Sequence, residues 1–234
     1  PVVIRTHAFS QAIPKIVCIG VSTGGPDALT RLMMQMPHDL EVPVCIVQHM
    51  PREFTGKLAA RLDQASAMRV CEAKLGDRLQ AGTVYIAPGD CHMVLDRVGP
   101  DVFVNLNKNP PENSCRPSVD PLFRSAAAIH GAQCLGVIMT GMGQDGLKGS
   151  EVLVAAGSTV LVQDEASCVV WGMPRLVAQA GLAQEQVPLD RLAGAIIARV
   201  RSTGRAESES ASGNDEGATS AASHDQERLR KRNS

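Results

Sequence analysis

Short apolar runs alternate along this chain with glycine-containing turns and amphipathic helical segments. The first run, Ile16–Val21, ends directly before Ser22 and is followed by the turn Gly24–Pro26 and a helical segment. An uncharged run of this length, bounded by turn residues, is typical of a strand buried in a parallel sheet. Because this alternation repeats, the sequence predicts βαβ units.

The predicted fold is an α/β fold with three layers: a doubly wound, mostly parallel sheet, helices on both of its faces, and a β-hairpin insertion. Glycine and proline between two apolar segments, 92–95 and 102–106, indicate the hairpin. The other predicted strands are 16–21, 42–48, 134–139 and 159–163. The predicted helices are 27–36, 54–64, a segment from a Ser118 cap to about 130, 147–156, 174–180 and 190–201.

The predicted helix 54–64 has one apolar and one charged side. Its apolar residues recur every fourth position and are expected to face the core, whereas its charged residues face away. The apolar residues are Phe54, Leu58 and Leu62, and the charged ones include Lys57 and Arg61.

Length and composition indicate one folded domain with an extension at each end. The chain has 234 residues, 44% of them hydrophobic, which is enough for one substantial core, assigned here to 15–201. Residues 1–14 show no clean period and begin without methionine, so we expect a linker or the trimmed edge of a longer chain. The segment 202–234, rich in small and charged residues, is expected to be disordered.

Charge, hydropathy and cysteine content exclude several classes of partner. The formal net charge is −1 and the basic residues are scattered, which argues against nucleic acid. No apolar stretch approaches the roughly 20 residues that span a bilayer, so we expect no membrane insertion. The seven cysteines form no C-x-x-C pair, and several lie within apolar runs. We therefore expect reduced thiols in a cytoplasmic protein.

Ser22 is the central residue of Gly20-Val-Ser-Thr-Gly24, which fits the G-x-S-x-G nucleophile elbow. In that motif a sharp turn exposes the serine oxygen and directs backbone N–H groups at a developing oxyanion. Spacing excludes a P-loop, because Pro26 and Asp27 follow the last glycine, and a dinucleotide fingerprint needs glycine where Ser22 stands. A serine that only caps the following helix remains the alternative.

A serine nucleophile needs a histidine base and a carboxylate that orients it. His49 directly follows the second predicted strand and should leave the same sheet edge as Ser22. His92, at the start of a hairpin strand, is the second candidate. Asp145 follows the next buried strand and should reach the same crevice, although Asp-Gly also fits a cap or turn. The competing carboxylates, all in turns or a first helical turn, are Asp77, Asp90 and Asp120.

A metal site built from His49, His92 and nearby acids is the main rival chemistry. The sequence contains no H-E-x-x-H, no paired C-x-x-C and no calcium-loop pattern. We therefore expect neither a metal ion nor another cofactor.

Six ordered segments resemble the catalytic domain of the chemotaxis receptor protein-glutamate methylesterase family, the CheB family. The resemblance extends over about 15–201, and six segments in one order are more specific than a single glycine loop. The segments are Ile19–Gly25, Gln48–Phe54, Tyr85–Met93, Arg116–Asp120, Met139–Gly146 and Gln163–Pro174.

The resemblance implies a catalytic triad in which Ser22 is the nucleophile, His49 the general base and acid, and Asp145 the orienting carboxylate. It also implies that Thr23 helps to hold the histidine and that the Met142 backbone N–H contributes to the oxyanion hole. The chain order Ser-His-Asp differs from the Ser-Asp-His order of α/β-hydrolases, so we do not expect that fold.

The implied reaction is hydrolysis of glutamate γ-methyl esters on the cytoplasmic helices of methyl-accepting chemotaxis receptors. It proceeds through an acyl-enzyme and releases methanol; deamidation of receptor glutamines by the same route is a related family activity. Family members usually carry an N-terminal receiver domain, and none fits before Lys15, so we expect one upstream in the same polypeptide or none at all. The alternatives are a non-catalytic receptor-docking module and a general carboxylesterase.

Overall fold

The computed structural model describes residues 12–201. Most of the predicted linker 1–14 and the whole predicted tail 202–234 lie outside these residues. The boundaries assigned to the domain at 15–201 therefore stay predictions.

Nine strands occur in the described part of the chain, and seven of them form one parallel sheet. The strands are β1 (Ile16–Val21), β2 (Val44–Gln48), β3 (Arg69–Glu72), β4 (Thr83–Ile86), β5 (His92–Val98), β6 (Asp101–Asn107), β7 (Cys134–Ile138), β8 (Thr159–Gln163) and β9 (Glu185–Val187). The sheet order is β3-β4-β2-β1-β7-β8-β9, and every pairing within it is parallel. Strands β5 and β6 form a separate antiparallel hairpin.

Helices cover both faces of the sheet. They are α1 (Gly25–Met33), α2 (Arg52–Ala65), α3 (Val119–His130), α4 (Leu147–Ala155), α5 (Met173–Gln179) and α6 (Leu189–Val200). Helices α1, α2 and α6 pack in one core, and α3, α4 and α5 pack with the hairpin in the other. This is the three-layer, doubly wound α/β architecture predicted from the sequence.

Strand β1 shows why the apolar runs are continuous. Val17, Ile19 and Val21 point into the core with α1, α2 and α6, whereas Ile16 and Cys18 point into the opposite core. All five side chains are fully buried. A strand covered on both faces needs apolar residues at successive positions.

Three strands were not predicted as members of the sheet. Strands β3 and β9 are short edge strands with exposed positions, so they lack an apolar run. Strand β4 lies just before the predicted hairpin, yet it belongs to the sheet and pairs with β2 and β3. The prediction that Phe54 lies in the core is also wrong, because its side chain is 51% exposed.

The predicted residues Ser22, His49 and Asp145 follow β1, β2 and β7, at the point where the strand order of the sheet reverses. The chain passes from β1 through α1 to β2 on one side, and β7 pairs with β1 on the other. In a doubly wound sheet this arrangement leaves a crevice at the carboxyl ends of the strands.

Candidate active site

Ser22 and His49 leave neighbouring strands at the carboxyl edge of the sheet. Strands β1 and β2 pair with Val21 opposite Gln48, and the His49 N–H donates to the Val21 carbonyl at 3.1 Å. The Ser22 N–H donates to the Thr140 carbonyl at 3.0 Å. The backbone at Val21 and Ser22 is therefore tied to the loops after both neighbouring strands.

Gln48 holds the first two loops together. Its buried side-chain Nε2 donates to the carbonyls of Ser22 and His49, at 3.1 Å in each case. A Cβ at Gly25 would collide with Gln48 Oε1, so the turn after Ser22 needs glycine there. One buried amide thus sets the relative position of the two backbone segments.

The loop after β7 approaches Ser22 closely. A Cβ at Gly141 would lie 2.8 Å from the Ser22 Cβ and 2.5 Å from Met173 Sδ. Both distances are too short for real carbon contacts, so glycine is required at this position. Gly141 thereby lets the loop that carries Met142 and Asp145 reach the serine.

His49 and Asp145 form a close ion pair. His49 Nε2 lies 2.7 Å from Asp145 Oδ2, and the two side chains are only 12% and 2% exposed. A carboxylate can only accept, so Nε2 carries the proton of this hydrogen bond. In the neutral imidazole, Nδ1 therefore holds the lone pair that can act as a base.

The Asp145 carboxylate is held by many donors besides the imidazole. The donors are the Val119 N–H at 2.6 Å on Oδ2 and, on Oδ1, the Ser118 hydroxyl at 2.6 Å, the Asn113 amide at 2.9 Å, the Gly146 N–H at 3.0 Å and the Asp120 N–H at 3.2 Å. Two of these N–H groups open α3, so Asp145 caps that helix from a distant segment, where the helix dipole favours its charge.

Ser118 stands at the N-cap position of α3, as predicted, but its hydroxyl makes no capping hydrogen bond to the helix. It donates to Asp145 instead, at 2.6 Å. The prediction that the Ser118 side chain caps the helix is therefore wrong. The carboxylate satisfies the helix N–H groups, and the serine helps to satisfy the carboxylate.

Helices α3 and α4 are capped reciprocally. Asp120, in the first turn of α3, accepts the N–H groups of Gly146 at 3.0 Å and Gly149 at 2.7 Å. The amide of Asn113 donates to both Asp120 and Asp145, at 2.9 Å each. The position of Asp145 therefore depends on both helices and on the segment around Asn113.

The environment shifts the pKa values of the ion pair in opposite directions. Burial opposes the charged imidazolium, but hydrogen bonds to Asp145 and Cys115 outweigh it and raise the pKa of His49 to about 9. Burial also opposes the charge on Asp145, yet hydrogen bonds from His49 and Ser118 keep the pKa of that carboxyl below its ordinary value. Asp145 thus stays an ionised acceptor, and His49 is a stronger base than a free imidazole.

Cys115 lies at the other imidazole nitrogen, with its Sγ 3.5 Å from His49 Nδ1. The Ser22 hydroxyl makes no hydrogen bond within residues 12–201, and its side chain is half-buried. The structure therefore brings His49 and Asp145 together but does not join the Ser22 hydroxyl to the imidazole. Nδ1 is the nitrogen that a rotated serine hydroxyl would have to reach.

Thr23 and Met142 border the serine. The Thr23 side chain is exposed and, within the described chain, makes no hydrogen bond to His49; its carbonyl accepts the Thr140 hydroxyl at 2.9 Å. The Met142 side chain is 74% exposed. Among the described residues its N–H has no acceptor, which leaves that group available to an oxyanion. The roles of both residues stay predictions.

Two grooves lie beside these residues. One, of about 500 Å³, is lined by Ser22, His49 and one side of α2. The other, of about 470 Å³, lies beside Met142 and is lined in part by Trp171 and Arg175. A large substrate could therefore contact the protein on more than one side of the serine.

His92, the second candidate base, has a packing role. It is buried, its Nδ1 accepts the Ser118 N–H at 3.2 Å, and its Nε2 lies 3.1 Å from the Pro110 carbonyl. Both ring nitrogens are thus engaged by backbone groups, one at the start of α3 and one in the segment that precedes this helix.

Sequence reasoning missed two residues of the site and gave two others ordinary helix roles. The missed residues are Asn113 and Cys115; the underestimated ones are Ser118 and Asp120. All four contact His49 or Asp145. For Ser118 and Asp120 the signal was the segment Arg116–Asp120, one of the six that carry the family resemblance, whereas Asn113 and Cys115 lie just before it.

Residues 12–201 contain neither a cluster of metal-binding side chains nor a membrane-spanning helix. No group of three or more histidine, cysteine or acidic side chains is placed there to hold a metal ion. No helix in this range is long and apolar enough to cross a membrane. All seven cysteines are free thiols.

Known proteins match most of the described chain. The family model described as CheB methylesterase matches residues 17–196. The chain belongs to this family. A solved CheB structure, the methylesterase catalytic domain of Thermotoga maritima, has a TM-score of 0.78 and 42% sequence identity, covering 79% of this chain and 97% of that one. This likeness confirms the predicted fold class and the resemblance.

Curated CheB relatives carry the same double name, protein-glutamate methylesterase/protein-glutamine glutaminase. The protein of Trichodesmium erythraeum is 52% identical over 186 residues, which cover 80% of this chain and 53% of that one. The protein of Paramagnetospirillum magneticum is 50% identical over 181 residues, covering 77% and 48%. The chain thus spans about half the length of the curated relatives it matches.

Proposed function

We propose that this CheB family member hydrolyses glutamate γ-methyl esters on chemotaxis receptor helices at the cytoplasmic side of the membrane. The observation that carries the proposal is the His49–Asp145 pair, 2.7 Å apart, at the sheet edge from which Ser22 also emerges. The relatives' second name supports deamidation of receptor glutamines at the same site.

In the proposed first step, His49 Nδ1 removes the proton of Ser22 Oγ as this oxygen attacks the ester carbonyl carbon. The Nε2 proton stays in its hydrogen bond to Asp145, whose charge stabilises the imidazolium that forms. The Met142 N–H is the proposed donor to the tetrahedral oxyanion. Thr23 is proposed to support the imidazole, which requires its exposed side chain to turn towards the ring.

The tetrahedral intermediate then collapses. Its bond to the methoxy oxygen breaks, that oxygen takes the proton from His49, and methanol leaves. The glutamyl group remains esterified to Ser22 Oγ. A water molecule, deprotonated by His49, then attacks the carbonyl carbon of this ester. The bond to Ser22 Oγ breaks, Oγ takes the proton back from His49, and glutamate is released. With a glutamine substrate, ammonia takes the place of methanol.

A receiver domain stays a proposed partner of this site. The chain spans about half of its relatives' length, and the sequence resemblance implies that such a domain regulates the family. The intact mass of the natural gene product tests this, because a receiver domain in the same polypeptide would raise it by the mass of a further domain.

Methanol release from a receptor bearing radiolabelled methyl esters tests the function. We expect release by the wild type and by the control Ser66→Ala, but none by a folded Ser22→Ala. Undiminished release by Ser22→Ala would contradict the serine mechanism. Receptor binding without turnover would support the docking module, and turnover of small esters alone would support a general carboxylesterase.

A further inference from the structure

Helix α2 turns an exposed side towards the groove beside Ser22. Phe54, Lys57 and Arg61 follow one another at spacings of three and four residues, so they share one side of the helix. All three are exposed, and all three line the groove. We call these three residues the α2 face. The sequence predicted that the two cations face away from the core, but not that they lie next to the serine.

The charge of this groove is positive. Lys57 and Arg61 are basic residues of its lining besides His49, and none of the lining residues is acidic. Arg61 donates to the Pro26 carbonyl at 2.6 Å and lies 3.6 Å from the exposed Asp27, which offsets part of its charge. Lys57 forms no ion pair within residues 12–201; its Nζ lies 5.5 Å from the Phe54 ring centroid. Lys57 therefore carries a positive charge in this groove that no acidic side chain of the described residues balances.

The same face is also apolar. Phe54 is one of four phenylalanines in the chain and is 51% exposed. Met50, Pro51 and Leu58 line the groove around it. An exposed aromatic ring among apolar neighbours and a free cation is typical of an interaction surface rather than of a solvated helix side.

We propose that the α2 face docks an acidic, amphipathic receptor helix. Lys57, supported by Arg61, binds glutamate carboxylates one helical turn from the ester, and Phe54 contacts the apolar side of that helix. The inference rests on the proposed function, which places the substrate glutamate at Ser22.

Helix geometry supports this occupant. On a substrate helix, residues three or four positions from the ester glutamate lie on the same side as the ester. Four residues correspond to a rise of about 6 Å, and Lys57 and Arg61 are themselves four positions apart on α2. Two cations spaced by one turn therefore match carboxylates spaced by one turn. Hydrolysis turns a neutral ester into a carboxylate, so each turnover makes such a helix more anionic.

The test compares two charge reversals of equal size. Lys57→Glu alters the α2 face, whereas Arg31→Glu alters an exposed cation near the end of α1 that does not line the groove. Each variant is assayed for kcat/KM with methylated receptor and with a small neutral ester. We expect Lys57→Glu to lower kcat/KM for the receptor roughly tenfold, mainly through KM. Turnover of the small ester should not change, and Arg31→Glu should behave as the wild type.

A second experiment reverses the charge on the receptor as well, and it separates a lost contact from a loss of stability in Lys57→Glu. A receptor whose glutamates one turn from the ester are replaced by lysine should be a poor substrate for the wild type and a better one for Lys57→Glu. Equal receptor kcat/KM for Lys57→Glu and Arg31→Glu would overturn the inference, as would an equal loss with the small ester. Failure of the proposed function differs from both, since the wild type would then release no methanol.

Discussion

Asp145→Asn removes one charge from the candidate triad with little change in volume. The carboxylate accepts two hydrogen bonds on Oδ2 and four on Oδ1. An asparagine side chain has one accepting oxygen, and its NH₂ group only donates. One side of the new amide must therefore face donors that it cannot satisfy.

The less costly orientation places the NH₂ group at the Oδ2 position, where it meets the His49 Nε2 and the Val119 N–H. Because the NH₂ group and the Nε2–H group are both donors, the imidazole has to carry its proton on Nδ1 instead. Nδ1 is the nitrogen that has to accept the serine proton. The Val119 N–H is left unpaired, which costs about 1–3 kcal/mol. The wrong tautomer should lower kcat by about 10⁴-fold, the size of the effect in a serine-protease triad.

The assay measures kcat for methanol release together with the free energy of unfolding in urea. Asp101→Asn is the matched control, because Asp101 forms a surface ion pair with Arg78 at 2.6 Å. The control should retain full activity and lose less than about 1 kcal/mol. The reasoning is refuted if Asp145→Asn loses the expected stability but keeps kcat within tenfold of the wild type. Asp145 would then be a helix cap alone.

Four further outcomes follow from the site. Only the neutral imidazole can accept a proton and the pKa of His49 is raised to about 9, so kcat/KM should rise with pH up to about that value. Cys115→Ala removes one hydrogen bond that raises this pKa and should shift the midpoint of the pH profile downwards; an unchanged midpoint would contradict the assignment. Gly141→Ala places a Cβ against Ser22 and should lower kcat about 100-fold without a change in the circular dichroism spectrum; normal activity would show that the loop can retreat. Asn113→Ala removes the donor shared by two carboxylates and should cost about 1.5–3 kcal/mol in chemical denaturation, whereas a neutral result would mean that water replaces the amide.

Burial decides which strands could be found in the sequence. Strands β1 and β8 have the bounds predicted for them, because both are covered on two faces. Strand β1 is a continuous uncharged run, and β8 has an apolar centre between Thr159 and Gln163. Strand β9 has three residues, two of them exposed, and no pattern that short has a measurable period. Strand β4 is fully buried, but its four residues lead into Ala87-Pro-Gly89, which resembles the approach to a turn. Its place in the sheet depends on pairing with distant strands.

The residues of the site also fall into two groups, those that the sequence predicts and those that it does not. His49 and Asp145 could be predicted because each follows a recognisable strand, and strand ends meet at one edge. The donors that hold Asp145, apart from His49 and Gly146, could not be predicted, because they lie 25 to 32 residues before it, as Asp120 and Asn113 do. Local sequence preference predicts that the Ser118 side chain caps a helix. In the folded chain its hydroxyl donates to the buried Asp145 carboxylate instead. Asp145 was also expected to fit a local cap or turn beside Gly146, but the helix that it caps is the distant α3, and it pairs with the imidazole as well.

The identity of the acylated residue tests the central claim most directly. The enzyme is mixed with a small activated ester, quenched in acid during the first turnover, digested and mapped by mass spectrometry. We predict an acyl group on the peptide that contains Ser22, and none on the same peptide from Ser22→Ala. Acylation of Cys115, whose thiol lies 3.5 Å from His49 Nδ1, or the absence of any acylated residue would contradict the account.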